Sequence, residues 1–198
     1  VLKTWPDEFI DLVITSPPYF ALRDYQVEGQ LGLEKTFEEY QTKLLEIIKE
    51  IKRVLKKSGQ FWLNLGDIYG GTKVGNTETI KNPKIVSDNF KKELPGMEKC
   101  MLMMPERIAL KMIDEQGWIL RNKIKWAKQV LIKKENRTVG SVMPTSVKDR
   151  FNESGEELYF FVKSKNYYSN LDAVRMRNQV LGITDLRSQQ EINKYPIA

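Results

Sequence analysis

Ser16-Pro17-Pro18-Tyr19 is the part of this sequence with the most specific chemistry. Two consecutive prolines lack backbone N–H groups and hold φ at about −65°, so their carbonyl oxygens project in a fixed direction with few internal donors. Ser16 adds a hydroxyl that accepts or donates a hydrogen bond, and Tyr19 adds a flat aromatic face. Rigid acceptors beside a stacking ring suit a planar group that carries an amine. The alternative is structural: prolines that only turn the chain and a tyrosine that only packs.

The exocyclic amine of a nucleobase is such a group. Its lone pair is delocalised into the ring, so the nitrogen is a poor nucleophile. Oxygens that accept both amine hydrogens favour a more tetrahedral nitrogen and free the lone pair for attack, which is electrostatic preorganisation. The base would have to leave the helical stack to reach these oxygens, and the tyrosine ring would replace part of the lost stacking.

The composition excludes several other kinds of chemistry. The 198 residues contain no histidine, which excludes Ser-His-Asp and Cys-His catalysis and removes the commonest transition-metal ligand. We therefore expect no metal site. The single cysteine, Cys100, excludes an internal disulfide framework and is typical of a reducing compartment. No apolar stretch approaches the roughly 20 residues of a membrane-spanning helix.

The net charge of +6 is concentrated in one segment. Residues 121–150 contain nine basic and two acidic residues, a balance of nine minus two, or +7. Such a segment favours a polyanionic partner, with nucleic acid as the first candidate, and the alternative is a solvated lysine-rich surface. For Lys148 and Arg150 a further alternative is a surface ion pair around Asp149. The candidate DNA contacts are Lys128, Lys133, Lys134, Arg137, Lys148 and Arg150.

The first elements of the chain predict a βαβ unit. Residues 10–15 are apolar and rich in β-branched side chains, and the prolines that follow cannot continue a strand, so a buried strand is predicted there. Thr36 and Glu39 form a capping box at the start of an amphipathic helix. We expect this helix to end just before Gly59, with Gly59 in the left-handed conformation. A second, parallel strand is predicted over residues 60–65.

The rest of the chain predicts further elements of the same type. A helix is expected over residues 105–117, and strands are expected over 118–126 and 158–162. Residues 68–103 and 127–147 have no steady period and are predicted to be variable loops. The pattern predicts an α/β fold with a mostly parallel sheet covered by helices.

In such a sheet, ligands bind at the carboxyl ends of the strands. Two polar clusters follow predicted strands, residues 15–19 and residues 64–67. Asp67 and Asn64 are therefore candidates to line a ligand pocket. The alternative for Asp67 is that it caps a loop.

Residues 11–19 (DLVITSPPY) resemble the catalytic motif of the amino-group DNA methyltransferases, which modify cytosine at N4 or adenine at N6. Further segments resemble the same family in the same order, so the resemblance covers about residues 5–175. These segments are residues 22–25, 28–32, 62–67, 105–107, 117–122, 146–151 and 159–168.

The resemblance implies a Rossmann-like methyltransferase fold and a reaction. A methyl group would move from S-adenosylmethionine to the exocyclic amine of a base flipped out of double-stranded DNA. Ser16 and the Pro17 carbonyl would bind the amine, and Tyr19 would stack on the base. Pro18 would complete the rigid catalytic motif.

The resemblance also implies a preferred base and a cofactor. Serine at the first motif position is commoner among cytosine-N4 enzymes, which favours cytosine, with adenine-N6 methylation as the alternative. Thr15 and Asp67, at the ends of predicted strands, are the candidates for contacts with S-adenosylmethionine. The family further implies a cytoplasmic, nucleoid-associated enzyme of a prokaryote or phage, of the restriction-modification or orphan type.

One part of the family pattern is missing. In the subgroup whose catalytic block precedes its cofactor block, a Phe-x-Gly-x-Gly loop holds the methionine part of the cofactor, and this chain contains no such loop. We therefore expect residues 1–198 to be one partial catalytic domain, either a fragment or one part of a split enzyme. It would act as a homodimer or with a partner chain that supplies the loop. The alternative is a non-catalytic DNA-binding module.

Overall fold

A computed structural model describes residues 2–22, 25, 27–70, 96–132, 137–140 and 147–174. The chain divides into two compact units, Val1–Tyr168 and Ser169–Ala198. The described part of the second unit contains a short 3-10 helix, Asp172–Val174. The first unit contains the sheet, both α-helices and every candidate catalytic residue.

A four-stranded sheet organises the first unit. Its strands are β1 (Ile10–Thr15), β2 (Leu55–Leu65), β3 (Ile119–Ala127) and β6 (Gly155–Val162). Two further strands, β4 (Gln129–Ile132) and β5 (Arg137–Gly140), form a separate antiparallel hairpin. The helices are α1 (Phe37–Val54) and α2 (Met104–Asp114). Neither helix is long and apolar enough to cross a lipid bilayer.

The α/β fold predicted from the sequence is confirmed, but the sheet is mixed. The strand order is β1-β2-β6-β3, and β1 and β2 pair in parallel as the βαβ pattern predicted. β6 lies between β2 and β3 and is antiparallel to both. β1, β2 and β3 therefore run in the same direction, as a mostly parallel sheet requires. Because β6 runs in the opposite direction between β2 and β3, two of the three strand pairings are antiparallel.

The predicted start of α1 is confirmed. Thr36 is the N-cap, and its hydroxyl accepts a hydrogen bond from the backbone N–H of Glu39 at 3.1 Å. The predicted end is wrong, because α1 stops at Val54 and β2 begins at the next residue. Gly59 lies within β2, where a Cβ would come within 2.9 Å of the Asp11 carbonyl oxygen. This glycine therefore allows close packing of β1 on β2 rather than ending a helix.

One face of the sheet carries the hydrophobic core. Paired positions on β2 and β6, Phe61 with Phe161 and Leu63 with Tyr159, point to the same face because side chains alternate along a strand. Both helices pack their apolar side chains into this cluster. The helix residues buried there include Tyr40, Leu44, Ile48, Ile51, Ile108, Ala109 and Met112. The core thus fixes the carboxyl end of β2 against the amino end of β6.

The predicted loops are only partly loops. Residues 127–147 include the hairpin, in which Gln129 pairs with Gly140 and Ile132 pairs with Arg137. Most of the loop predicted at residues 68–103 lies outside the described residues. The last strand is longer than predicted, since β6 begins at Gly155 rather than at Leu158.

Candidate active site

The Ser-Pro-Pro-Tyr motif leaves the carboxyl end of β1 and lies at the surface. Ser16 is exposed, and Pro17, Pro18 and Tyr19 are partly buried. The Pro18 carbonyl accepts a hydrogen bond from the Tyr40 hydroxyl on α1 at 3.0 Å, which anchors the motif to the core. Within the described residues the Pro17 carbonyl has no such donor. Among the described residues the two prolines therefore differ, because a protein donor holds the Pro18 oxygen but not the Pro17 oxygen.

Gly66, directly after β2, allows the Tyr19 ring to lie where it does. A Cβ on Gly66 would come within 2.6 Å of Tyr19 Cε2 and 2.7 Å of Tyr19 Cδ2. Any side chain at this position would push the ring away. The glycine therefore sets the position of the aromatic face that the sequence singled out for stacking.

The Tyr19 hydroxyl lies at the centre of a hydrogen-bond network between three segments. It lies 3.1 Å from Ser16 Oγ and donates to Glu156 Oε2 at 2.9 Å. Asn64 Nδ2, at the end of β2, donates to the Tyr19 hydroxyl at 2.9 Å and to Glu156 Oε2 at 2.8 Å. The polar groups at the ends of β1, β2 and β6 thus converge on one point.

Glu156 is the anionic group of this network. Its second oxygen, Oε1, forms an ion pair with Lys128 Nζ, in the turn after β3. Burial opposes ionisation of Glu156, but donors from Lys128, Asn64 and Tyr19 outweigh it and lower the pKa of the carboxyl. Glu156 is therefore a carboxylate at neutral pH. Burial, with Glu156 nearby, raises the pKa of Tyr19 to about 12, so the phenol keeps its proton.

Two clefts meet at this network. Their volumes are about 270 and 290 Å³, and Tyr19, Leu22, Lys128 and Glu156 line both of them. Ser16, Pro17 and Tyr25 complete the lining of the second cleft. The first cleft extends along the ends of β2 and β6 and past α2. The Ser16 hydroxyl and the Tyr19 ring are therefore accessible, which a purely structural turn would not require.

The two residues predicted to contact a cofactor have different surroundings. Asp67 lines the first cleft, but its carboxylate accepts hydrogen bonds from the backbone N–H groups of Ile68, Met103 and Met104 at 2.8–3.1 Å. It thereby joins the end of β2 to the start of α2, as the capping alternative predicted. Burial raises the pKa of Asp67 despite these donors. Thr15 ends β1 and lines neither of the two clefts.

The lysines of β3 do not form an unpaired basic face. Lys123 and Lys125 pair with Glu157 on β6 at 3.8 and 3.0 Å. Lys123 also pairs with Glu106 at 2.5 Å, and Lys125 pairs with Glu153 at 3.0 Å. The antiparallel register places Lys125 opposite Glu157. The sequence predicted a concentrated basic face, but carboxylates from elsewhere in the chain neutralise this part of it.

The remaining candidate DNA contacts are only partly described. Lys133 and Lys134 lie outside the described residues, as does the side chain of Arg137 on β5. Lys148 is exposed. Lys128 belongs to the Glu156 network rather than to a separate surface.

Arg150 lies beside the first cleft. Its guanidinium stacks over the ring of Tyr69, 3.8 Å from the centroid, and Tyr69 lines that cleft. The neighbouring Asp149 pairs with Lys99 at 2.5 Å. The ion pair expected around Asp149 therefore exists, but its cation comes from another segment and not from Lys148 or Arg150.

The sequence patterns predicted no role for Glu156, and they predicted that Lys128 contacts DNA. Glu156 and Tyr19 are separated by 137 positions, and no local pattern connects them. The available signal was weak: Glu156 comes two residues before the strand predicted at 158–162, and Lys128 comes two residues after the strand predicted at 118–126.

Comparison with known proteins gives relatives over nearly the whole chain. A family model described as DNA methylase, N6_N4_Mtase, matches residues 10–195. The Type II methyltransferase M.XycI of Xanthomonas campestris pv. cyanopsidis is 36% identical over 100% of this chain and 63% of its own length. The Type II methyltransferase M.SfiI of Streptomyces fimbriatus is 37% identical over 90% of this chain and 37% of its own length. The chain thus spans less than two thirds of each of these relatives.

A solved structure has a similar fold. It is the PvuII DNA methyltransferase (cytosine-N4-specific), with a TM-score of 0.55 and 21% sequence identity. The similarity covers 87% of this chain and 49% of that chain. The Rossmann-like methyltransferase fold that the motifs implied is therefore confirmed.

Proposed function

The chain belongs to the N6/N4 DNA methylase family, and on this premise we propose that it transfers a methyl group to the exocyclic amine of a DNA base. Cytosine N4 is the favoured acceptor, and adenine N6 is the alternative. One observation carries the proposal: the exposed Ser16 and the adjoining Pro17 line one cleft together with the partly buried Tyr19. These are the acceptors and the stacking surface that an extruded base with an amine requires.

The chain's own residues would bind and activate the amine. Ser16 Oγ and the Pro17 carbonyl oxygen accept its hydrogens, which reduces delocalisation of the nitrogen lone pair into the ring. Both oxygens are held before the base arrives, because the prolines restrict the backbone and Tyr40 anchors the Pro18 carbonyl. The Tyr19 ring, fixed against Gly66, stacks on the base.

S-adenosylmethionine is the proposed methyl donor, as for the family in general, but Thr15 and Asp67 do not form a site for it by themselves. The Asp67 oxygens already accept three backbone hydrogen bonds, and Thr15 lines neither cleft. We propose that the donor site needs residues beyond those that the structure describes, such as a loop from a second copy or from a partner chain. Among the described strands, β1 lies at the edge of the sheet with Leu12 and Ile14 exposed, which leaves a surface for such a segment.

Double-stranded DNA is the proposed substrate. Lys148 and Arg150 are proposed to contact phosphates, since Lys148 is exposed and Arg150 lies at the rim of the first cleft. Lys133, Lys134 and Arg137 remain predicted contacts. The proposed setting is a prokaryotic or phage cytoplasm, and the similar M.XycI and M.SfiI come from Xanthomonas campestris pv. cyanopsidis and Streptomyces fimbriatus.

The proposal is tested by substituting Ser16 and Tyr19 with alanine in the complete protein. Each substitution should reduce incorporation of tritiated methyl groups into DNA by roughly 10²-fold, because each removes a preorganised contact to the base. DNA affinity should change far less. Tyr168→Ala is a matched control, since Tyr168 is an exposed tyrosine outside the two clefts.

Nucleoside analysis of the methylated DNA separates the two acceptors. N4-methyldeoxycytidine supports the favoured base, and N6-methyldeoxyadenosine supports the alternative. DNA binding without any methyl incorporation by the wild type would favour the non-catalytic DNA-binding module. Wild-type incorporation by either alanine variant would contradict the assigned roles.

A further inference from the structure

We infer that Ser16, Tyr19 and Glu156 form a proton path from the target amine to a carboxylate. The inference rests on the proposed amino methylation and adds a role for Glu156. The path consists of two hydrogen bonds, 3.1 Å from Ser16 Oγ to the Tyr19 hydroxyl and 2.9 Å from that hydroxyl to Glu156 Oε2. It begins at a group that lines the second cleft and ends at a group that lines both clefts.

The reaction requires such an acceptor because of its charge balance. The new N–C bond forms from the nitrogen lone pair as the S–C bond of the sulfonium breaks, and the sulfur keeps the electron pair of that bond. One positive charge therefore moves to the amine nitrogen. The nitrogen becomes neutral only when one of its two original protons leaves, and the chain has no histidine to accept it.

The ionised state of Glu156 sets the direction of the hydrogen bonds. A carboxylate only accepts, so the single hydroxyl proton of Tyr19 must point to Glu156. The contact between Ser16 and Tyr19 then has Ser16 as its donor. Ser16 Oγ has two lone pairs. One is within reach of Asn64 Nδ2 at 3.4 Å, and the other is left for an amine proton, since Ser16 lines the second cleft.

The hydrogen bonds of Asn64 are consistent with the same direction of donation, from Ser16 to Tyr19 and from Tyr19 to Glu156. Its Nδ2 group donates to Tyr19 and to Glu156, and its residue is 7% exposed. Its buried Oδ1 has no hydrogen-bond partner within the described residues. The N–H group that donates to Glu156 favours the charged form of the carboxyl and so helps to lower its pKa.

The path moves the proton without leaving a charge on Ser16 or Tyr19. The amine proton passes to Ser16 Oγ, the Ser16 proton passes to the Tyr19 oxygen, and the Tyr19 proton passes to Glu156 Oε2. Each hydroxyl loses one proton and gains another, so only Glu156 changes its charge. Because Glu156 lines both clefts, it can then release the proton to solvent.

Several charged groups face Glu156 and set its affinity for a proton. Lys128 contacts its second oxygen directly. The other charged groups in the first cleft are Asp67, Glu106, Lys125, Glu153 and Glu157. Lys125 is paired with Glu153 and Glu157, so Lys128 is the cation in direct contact with the end of the path.

Tyr19→Phe and Glu156→Gln test the path in the complete protein. Phenylalanine keeps the aromatic ring but removes the middle hydroxyl, and glutamine keeps an acceptor oxygen but loses its basicity. Each variant should lower the single-turnover rate of methyl transfer by roughly 10²-fold, with DNA affinity within about twofold of wild type. The double variant should fall no further, because both changes break one path. Tyr168→Phe and Glu50→Gln are matched controls away from the clefts.

A measurement without methyl donor provides a second test. Carbon-13 NMR of the Glu156 carboxyl should show it titrating below its ordinary pKa, and Tyr19→Phe and Lys128→Met should each raise that pKa by removing a donor. An unchanged titration in both variants would overturn the path, as would wild-type turnover rates in Tyr19→Phe and Glu156→Gln. A wild type that transfers no methyl group would instead contradict the proposed function, and the path with it.

Discussion

Asp67 and Glu156 are two carboxylates that line the same cleft, but the chain holds them in different ways. At the junction of β2 and α2, Asp67 accepts three backbone N–H groups, and burial leaves its pKa raised. At the start of β6, burial also opposes the charge of Glu156, but three side-chain donors lower its pKa. Compared with an ordinary carboxyl group, Asp67 therefore binds a proton more tightly and Glu156 binds one less tightly.

Asp67 is held in a structural role, whereas Glu156 is connected to the side chains of the proposed catalytic motif. Backbone N–H groups are part of the chain path, so Asp67 stabilises the turn into α2 and has no oxygen free of a protein donor. Two of the three donors to Glu156, Tyr19 and Lys128, line the clefts, and Tyr19 and Asn64 both contact Ser16. A carboxylate held by side chains is connected to whatever binds beside them.

The largest expected effect comes from removing the structural carboxylate. Asp67→Ala leaves three backbone N–H groups without their acceptor and should lower the free energy of unfolding by about 3 kcal/mol. Asp67→Asn keeps the oxygen that accepts from Ile68 and Met104 and should lower it by only about 1 kcal/mol. Urea denaturation measures both values. Equal stabilities for Asp67→Ala and wild type would show that the capping role is wrong.

A smaller effect on stability is expected from substitution of Gly66, which precedes Asp67 in the chain and lies against the Tyr19 ring. Gly66→Ala places a Cβ against the Tyr19 ring and should lower the free energy of unfolding by about 1–2 kcal/mol, because the ring must move. The same displacement should weaken the Tyr19–Glu156 hydrogen bond and slow methyl transfer. Urea denaturation and a single-turnover assay on the same preparation check both effects. An active, fully stable variant would mean that the ring position is not set by this glycine.

The smallest expected effect is a difference between carboxylate variants in how stability depends on pH. It is measured as the free energy of unfolding between pH 3 and 7. Glu156 has a lowered pKa in the folded protein, so its contribution is present above the ordinary value of about 4.3 and is lost as pH falls through the folded pKa. Asp67 has a raised pKa, so the folded state takes up its proton first, and stability rises relative to Asp67→Asn as pH falls.

Glu156→Gln and Asp67→Asn should therefore change the pH profile in opposite directions. Relative to wild type, Glu156→Gln should lose less stability on acidification, and Asp67→Asn should lose more. Profiles that shift in the same direction would mean that the two carboxylates are not distinguished by their donors.

Local features of the fold were well predicted from the sequence. The strand at residues 10–15 and the N-cap at Thr36 depend on neighbouring residues, and both are confirmed. The prediction that this strand is buried is wrong, because it lies at the edge of the described sheet with Leu12 and Ile14 exposed. The end of α1 was not predictable in the same way, because Gly59 serves close packing between β1 and β2. The direction of β6 was also missed, since strand direction depends on the complete sheet rather than on one strand.

The sequence alone determined the rigid Ser16-to-Tyr19 segment, because proline geometry and side-chain type are covalent properties of those residues. Only the tertiary structure decided what that segment contacts. The antiparallel insertion of β6 brings Glu156 to Tyr19 across 137 positions and pairs Lys123 and Lys125 with carboxylates. Distances between strands are set by the packing of the whole core, so the partners of Tyr19 and the ion pairs of Lys123 and Lys125 could not be derived from local patterns.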